Sequence, residues 1–231
     1  MDSPEIIATD RAHSIFAAIR DAAFDKKLLE GIDPQPGWQR ARVDPLTVIT
    51  AAPGVELDPN WQIRAYQFYE DMNAWGSSYA VRTEDADVPP TFLDHARLAP
   101  PSCAASSISV ALRPSGDAVS FFARSLLVRA LSELGALWHG TRWGAHDLVA
   151  GASDLPRRRD HHAPWSWEGS ALGNVNPFVE VLPGAARVVF YTWPKLGPAR
   201  IVEHTDVHAL RDGSIVSDER VVAVGQGGVI T

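Results

Sequence analysis

The chain has 231 residues, 45% of them hydrophobic, which is enough to build a proper core in one large domain or two small ones. A formal net charge of −7 with an isoelectric point near 5.6 argues against a nucleic-acid surface or attraction to anionic membranes. The one cysteine, Cys103, rules out an internal disulfide and every multi-cysteine metal site, and is compatible with a reducing cytoplasm.

The start of the chain, MDSPEIIATD, lacks a basic segment followed by an apolar one, so no signal peptide is expected. Thr9 or Asp10 is placed to cap a first helix running to Gly31, with Ile15, Phe16, Ile19, Ala22 and Ala23 at helical spacing and Lys26 and Lys27 at its end. A loop punctuated by Pro and Gly follows, then a short β-prone run at 46–51, LTVITA. Asp58 and Pro59 open a second expected helix over 60–76, on which Ala65, Phe68, Met72 and Trp75 share one side. Alternation at Trp61, Ile63 and Ala65 keeps a strand as the alternative there.

Residues 83–102 are rich in Pro and acidic side chains and read as a long loop. The expectation is a single domain over 1–231; the alternative is a subdivision in that loop, with 1–90 as an N-terminal helical part and 103–231 as a helix plus sheet. SSISVALR at 106–113 predicts a strand. Residues 116–138 predict the longest helix, opened by Ser115 or Asp117 and apolar around most of its circumference. Arg124, Arg129 and Glu133 interrupt it too often for a bilayer-spanning segment. Residues 144–176 form a second irregular stretch of the size used for binding loops. Strands are then expected near 178–182, 186–193, 200–210 and 214–224. The fold class is α+β, with helices towards the front, a long buried helix, and a C-terminal antiparallel meander ending in a hairpin.

The hairpin carries the most chemistry. Asp212-Gly213 predicts a two-residue turn, which would place Arg211 opposite Ser214, His208 opposite Ser217, Asp206 opposite Glu219 and His204 opposite Val221. Alternation puts His204, Asp206, His208, Ser217 and Glu219 on one face. Two opposed carboxylates cost about 0.2–1 kcal/mol unless a cation compensates. The compensator is a metal ion, a protonated histidine, an arginine from elsewhere, or solvent if the face is wet. A divalent metal on His204, Asp206 and Glu219, with His162 from the long loop, has suitable ligand types. His204 and His208 stand roughly 13 Å apart along a strand, which makes them hard to join on one ion. Without a metal, His204, Asp206, His208 and Glu219 are candidates for acid–base catalysis.

Other groups suit substrate binding. LWHGTRWGAHD sets His139, Arg142, His146 and Asp147 between Trp138 and Trp143 just after the long helix, a combination of cation and aromatic wall that fits an anionic or aromatic ligand. PRRRDHH at 156–162 offers a clamp for phosphate or carboxylate, represented by Arg158. No Walker A, G-x-S-x-G, H-E-x-x-H or redox-cofactor motif is present. The expected function is a hydrolase, lyase or isomerase acting on a small molecule in a Trp-lined pocket, without nucleic-acid or membrane partners. The alternative is a non-catalytic subunit that assembles with copies of itself or with other chains.

Overall fold

The computed structural model describes residues 3–24, 37–70, 73–94, 97–137, 140–155, 166–167 and 174–229. The chain is α+β, with N-terminal and central helices packed on antiparallel sheets. The helix α1 spans Thr9–Phe24 and buries Ala12, Ile15, Phe16, Ile19 and Ala23, the 3–4 spacing of one apolar stripe. Its expected continuation through Lys26 and Lys27 to Gly31 lies outside the described residues.

Two expected elements change type. Residues 46–51 do not form a strand: α2 spans Pro45–Thr50, with Asp44 accepting the Leu46 N–H at 3.0 Å and Pro45 opening the first turn. This start signal outweighs the β-preference of Val48 and Ile49, which both turn inward. Residues 60–76 are not helical either. Strands β4 (Trp61–Glu70) and β5 (Asn73–Arg82) form a hairpin, with β2 (Gly37–Arg40) pairing the outer edge of β4. Asp58 and Pro59 begin a turn there, in which Asp58 accepts the Asn60 N–H at 2.9 Å. The alternating run Trp61, Ile63, Ala65, followed by the aromatic residues Tyr66, Phe68 and Tyr69, decides in favour of strand.

Within the expected loop at 83–102 a small ladder joins β6 (Thr91–Asp94) and β7 (Arg97–Ala99). The stretch expected as a strand at 106–113 is a 3₁₀ turn over Ile108–Ala111 followed by β8 (Leu112–Pro114), which pairs β3 (Val55–Leu57). The long helix α3 spans Ala118–Ser132, capped by Asp117, whose carboxylate accepts the Ser120 N–H at 2.8 Å. Gly76 of β5 lies so close to the end of α3 that a Cβ there would come within 2.4 Å of the Glu133 carbonyl oxygen.

The C-terminal sheet is the platform for the site. Strands β11 (Phe178–Leu182), β12 (Ala185–Pro194), β13 (Gly197–Ala209) and β14 (Ile215–Val229) run as an antiparallel meander. β1 (Glu5–Ile6) adds to β11, and β10 (Ser166–Trp167) adds to β14. β11 pairs only the first half of β12; β9 (His146–Val149) takes over the same edge from Tyr191 to Pro194. α3 covers one face of this sheet, and the main core joins α1, α2 and α3 to Val188 and Phe190.

The hairpin register differs from the expected one by two residues. His208 pairs Ile215, Asp206 pairs Ser217 and His204 pairs Glu219, so Asp206 does not oppose Glu219. The Ala209 N–H donates to the Ser214 carbonyl at 2.9 Å and closes a four-residue loop, Leu210–Gly213, in which the Gly213 N–H reaches the Ala209 carbonyl at 3.1 Å and Gly213 supplies φ +71°. A two-residue slip leaves every side chain on its expected face. The β13 half of that face is not wet: His204, Asp206 and His208 are fully buried, whereas Ser217 and Glu219 on β14 are exposed and Glu203, Thr205 and Val207 look outward from the other face.

Candidate functional site

The α3–β13 interface carries a row of paired polar groups. Arg129 grips Asp206 with two hydrogen bonds, Nη1 to Oδ2 at 2.6 Å and Nη2 to Oδ1 at 2.9 Å. The compensating cation for Asp206 is therefore an arginine from the helix. Burial pushes the Asp206 carboxyl up, but the bonds and charge of Arg129, with Ser217 and Ser125 adding to the effect, outweigh it and hold the group below its usual range. One helical turn earlier, Arg124 donates to His208 Nδ1 at 3.1 Å, so His208 carries its hydrogen on Nε2 and donates it to Ser125 Oγ at 2.8 Å. Burial drives His208 down to about 3, with the Arg124 charge acting in the same direction. Burial also lowers Arg124, to about 10, so it stays charged at neutral pH.

His204 belongs to a different chain of hydrogen bonds. Its Nδ1 meets Glu219 Oε1 at 3.0 Å and its Nε2 meets Thr192 Oγ1 at 2.7 Å. The same hydroxyl meets His146 Nδ1 at 2.8 Å. With Glu219 ionised, His204 donates from Nδ1, Thr192 donates to His204 Nε2, and His146 donates from Nδ1 to Thr192. That order leaves Nε2 of neutral His146 with a free lone pair. The strands set the geometry: β9 and β13 flank β12 on opposite edges, and the Thr192 hydroxyl bridges the imidazoles carried by both. Phe190 stacks on the His204 ring at 4.7 Å and Trp143 meets it edge-on at 5.6 Å.

These surroundings set the protonation states. Burial lowers His146 to about 4, helped by His204 and opposed by Glu219. Burial likewise lowers His204, although its hydrogen bond to Glu219 pulls the other way. The His204 bond holds Glu219 below the ordinary carboxylate range in spite of partial burial. Both imidazoles are therefore neutral at pH 7.

His146 and Glu219 open onto a cleft of about 630 Å³ beyond the C-terminal end of α3. Arg129, Arg142, Trp143 and Arg200 also line it. Glu133 fixes the 141–143 wall, its Oε2 accepting the Arg142 and Trp143 N–H groups at 2.8 Å each. The Arg142 and Arg200 guanidinium groups make no ion pair among the described residues. Among the described residues they therefore give the cleft two cations outside any ion pair, in a lining that also holds the carboxylates of Glu133 and Glu219.

The expected site residues thus divide. Glu219, Arg142 and Trp143 line the cleft, and His204 lies directly behind it. Asp206 and His208 are sealed under α3 and reach no ligand from the cleft. Trp138, His139, Arg158 and His162 lie outside the described residues. The residues His204, Asp206 and Glu219 do not fit a metal: both ring nitrogens of His204 are engaged, and both oxygens of Asp206 are held by Arg129. Among the described residues no three His, Cys, Asp or Glu side chains gather closely enough to hold an ion. Sequence reasoning noted His146 only as part of a helix-end cluster and gave no role to Thr192, Arg129 or Arg200.

Glu219, His204 and Thr192 have the order of an acid–imidazole–hydroxyl triad, but Thr192 is wholly buried and its oxygen is shared with His146. No acyl group can reach it, so the arrangement is not a nucleophile site; it is a hydrogen-bonded chain whose two ends, His146 and Glu219, both face the cleft. No family model, no curated protein and no solved structure matches the chain.

Proposed function

We propose that the cleft binds a small organic anion through Arg142 and Arg200 and that His146 exchanges a proton with it, as in hydrolysis, elimination or isomerisation. The observation that carries this is the unbroken hydrogen-bonded path from cleft-lining His146 through Thr192 and His204 to Glu219. A proton arriving at His146 Nε2 releases the one on Nδ1 to Thr192, whose own proton passes to His204 Nε2. The positive charge then rests on His204 beside the Glu219 carboxylate, and His146 is neutral again.

The ligand charge completes the device. Without that anion His146 is a weak base because its protonated form is desolvated and meets the charges of a second imidazole, Arg200 and Arg129, which Glu219 offsets only in part. An anion on Arg142 and Arg200 offsets that repulsion and raises the His146 pKa towards neutrality. Base strength is then greatest when substrate is present. The Trp143 ring gives the organic part of such a ligand an apolar wall.

The test is an NMR titration of the imidazole C–H signals with a panel of small carboxylates and phosphate monoesters, run also in D₂O to detect hydrogen exchange on the ligand. A true ligand raises the His146 pKa by about one unit or more, and the effect is lost in an Arg142→Ala/Arg200→Ala protein. If no anion moves the His146 resonances of the unaltered protein, the proposal fails.

A second reading, a non-catalytic subunit, draws on one observation. On the outward face of the hairpin Val207 pairs Val216, and Val216 is 70% exposed on a strand whose other edge, among the described residues, is paired only near Ala223 and Val224. An oligomer that dissociates on Val216→Lys, in a protein inert to every anion tested, would favour it.

A further inference from the structure

A second cleft, of about 680 Å³, lies at the opposite end of α3 from the first, between the helix start, the Leu210–Gly213 turn and the end of β8. Its charged lining is Arg82, Arg113, Arg124, Arg211, Asp58 and Asp212, four cations against two anions. Asp58 is already committed to Arg113 at 2.5 Å, and Arg82 lies over the Trp61 ring at 4.2 Å. Asp212 is turned to its own backbone, accepting the Ser214 N–H at 2.9 Å.

Arg124 is the unusual member. It is 1% exposed and has no carboxylate partner among the described residues, so its charge is buried without a counter-ion. Its Nη2 donates to the Ser109 carbonyl at 2.7 Å and to the Gly213 carbonyl, and its Nη1 donates to His208. Those bonds use three of the five guanidinium hydrogens. Nε is buried with no acceptor among the described residues. A buried guanidinium is normally matched by a fixed anion, as Arg129 is by Asp206 five residues along the same helix. Carbonyl oxygens and a neutral imidazole satisfy hydrogens but do not balance charge.

We infer that this second cleft is a binding site for a small oxyanion, a carboxylate or a phosphate group, whose charge is received by Arg124 at the floor and Arg211 at the rim. Planar two-oxygen groups match the guanidinium fork of Arg211 at the rim, Arg124, whose Nη2 hydrogens are both taken, supplies charge from the floor, and Arg113 beside Asp58 adds a further donor at the wall. The site is independent of the proton-transfer cleft and stands whether or not that cleft is catalytic.

The test is titration with inorganic phosphate and, separately, with malonate at constant ionic strength set by chloride, followed by NMR at Gly213 and His208. Saturable shifts are expected with at least one of the two, and the tighter of them identifies the ligand chemistry. Arg211→Gln, an exposed substitution, should weaken binding about tenfold, and Arg124→Met should abolish it. Arg142→Ala/Arg200→Ala should leave it unchanged, which separates this site from the first cleft. The inference is overturned if neither anion gives a saturable shift, or if binding persists in Arg124→Met. Should that variant not fold, unaltered affinity in Arg211→Gln overturns it instead.

Discussion

His208 gives the sharpest quantitative expectation, because its folded state holds a neutral imidazole where water would allow a charged one. Its pKa falls from 6.5 to about 3, chiefly through burial, with Arg124 Nη1 pointing a donor at the nitrogen that would take the proton. Below pH 6.5 the unfolded chain binds a proton that the folded chain refuses, so stability is lost as pH falls through this window and levels off near pH 3. The slope is about 1.4 kcal/mol per pH unit, which gives a loss of about 2 kcal/mol on going from neutral pH to pH 5. His208→Gln keeps a polar group beside Ser125 but has no proton to refuse. The variant starts less stable at pH 7.5 because packing against Phe121 is altered, and its deficit should shrink by about 2 kcal/mol by pH 5. Urea unfolding of both proteins at pH 7.5, 6, 5 and 4.5 measures this directly. His146 and His204 contribute equally to both curves and cancel. Parallel curves would mean that His208 takes up its proton within the folded state, and the account of a sealed α3–β13 interface would be wrong.

Two further substitutions probe the polar row and the path. Asp206→Ala leaves the nearly buried Arg129 without its partner and should cost about 3–5 kcal/mol by denaturant unfolding. Adding Arg129→Met should recover part of that loss, whereas strictly additive losses would refute a coupled pair. Thr192→Val keeps shape and burial but removes the bridging hydroxyl, leaving His146 Nδ1 and His204 Nε2 unsatisfied at about 1–3 kcal/mol. In the same variant the NMR titrations of the two histidines should become independent; continued coupling would show that the hydroxyl is not the link.

Where the sequence was legible, the signal was local. The four C-terminal strands and the Asp117 start of α3 follow from β-branched runs and from one capping residue that binds three positions on. The two misread elements are places where local signals conflicted. At 45–50 the Asp44-Pro45 start opposed β-branched residues, and at 60–76 a helix-like start at Asp58-Pro59 preceded an alternating, aromatic-rich run. The decision came from partners distant in sequence: Val48 and Ile49 bury in the core shared with α1 and α3, and β4 pairs β2 and β5 along its length.

The site was legible only to the extent that alternation fixes faces. Assigning a two-residue turn in place of the four-residue one moved Asp206 from Ser217 to Glu219, yet the slip was even, so the grouping of His204, Asp206, His208 and Glu219 on one side survived. What alternation cannot supply is what lies across from that side. Asp206 found its cation on α3, 77 positions earlier, and His204 found its relay partner on the preceding strand. His146 enters only because β11 ends beside Val189 and frees the rest of the β12 edge for β9. Burial then separates groups that look equivalent in the sequence: Asp206 and His208 are sealed by arginines and serines, whereas His204 keeps a hydrogen-bonded exit to the cleft through Thr192 and His146. The difference between the sealed His208 and the cleft-linked His204 lies in the partners Thr192 and Glu219, placed by pairings between strands that no local pattern announces.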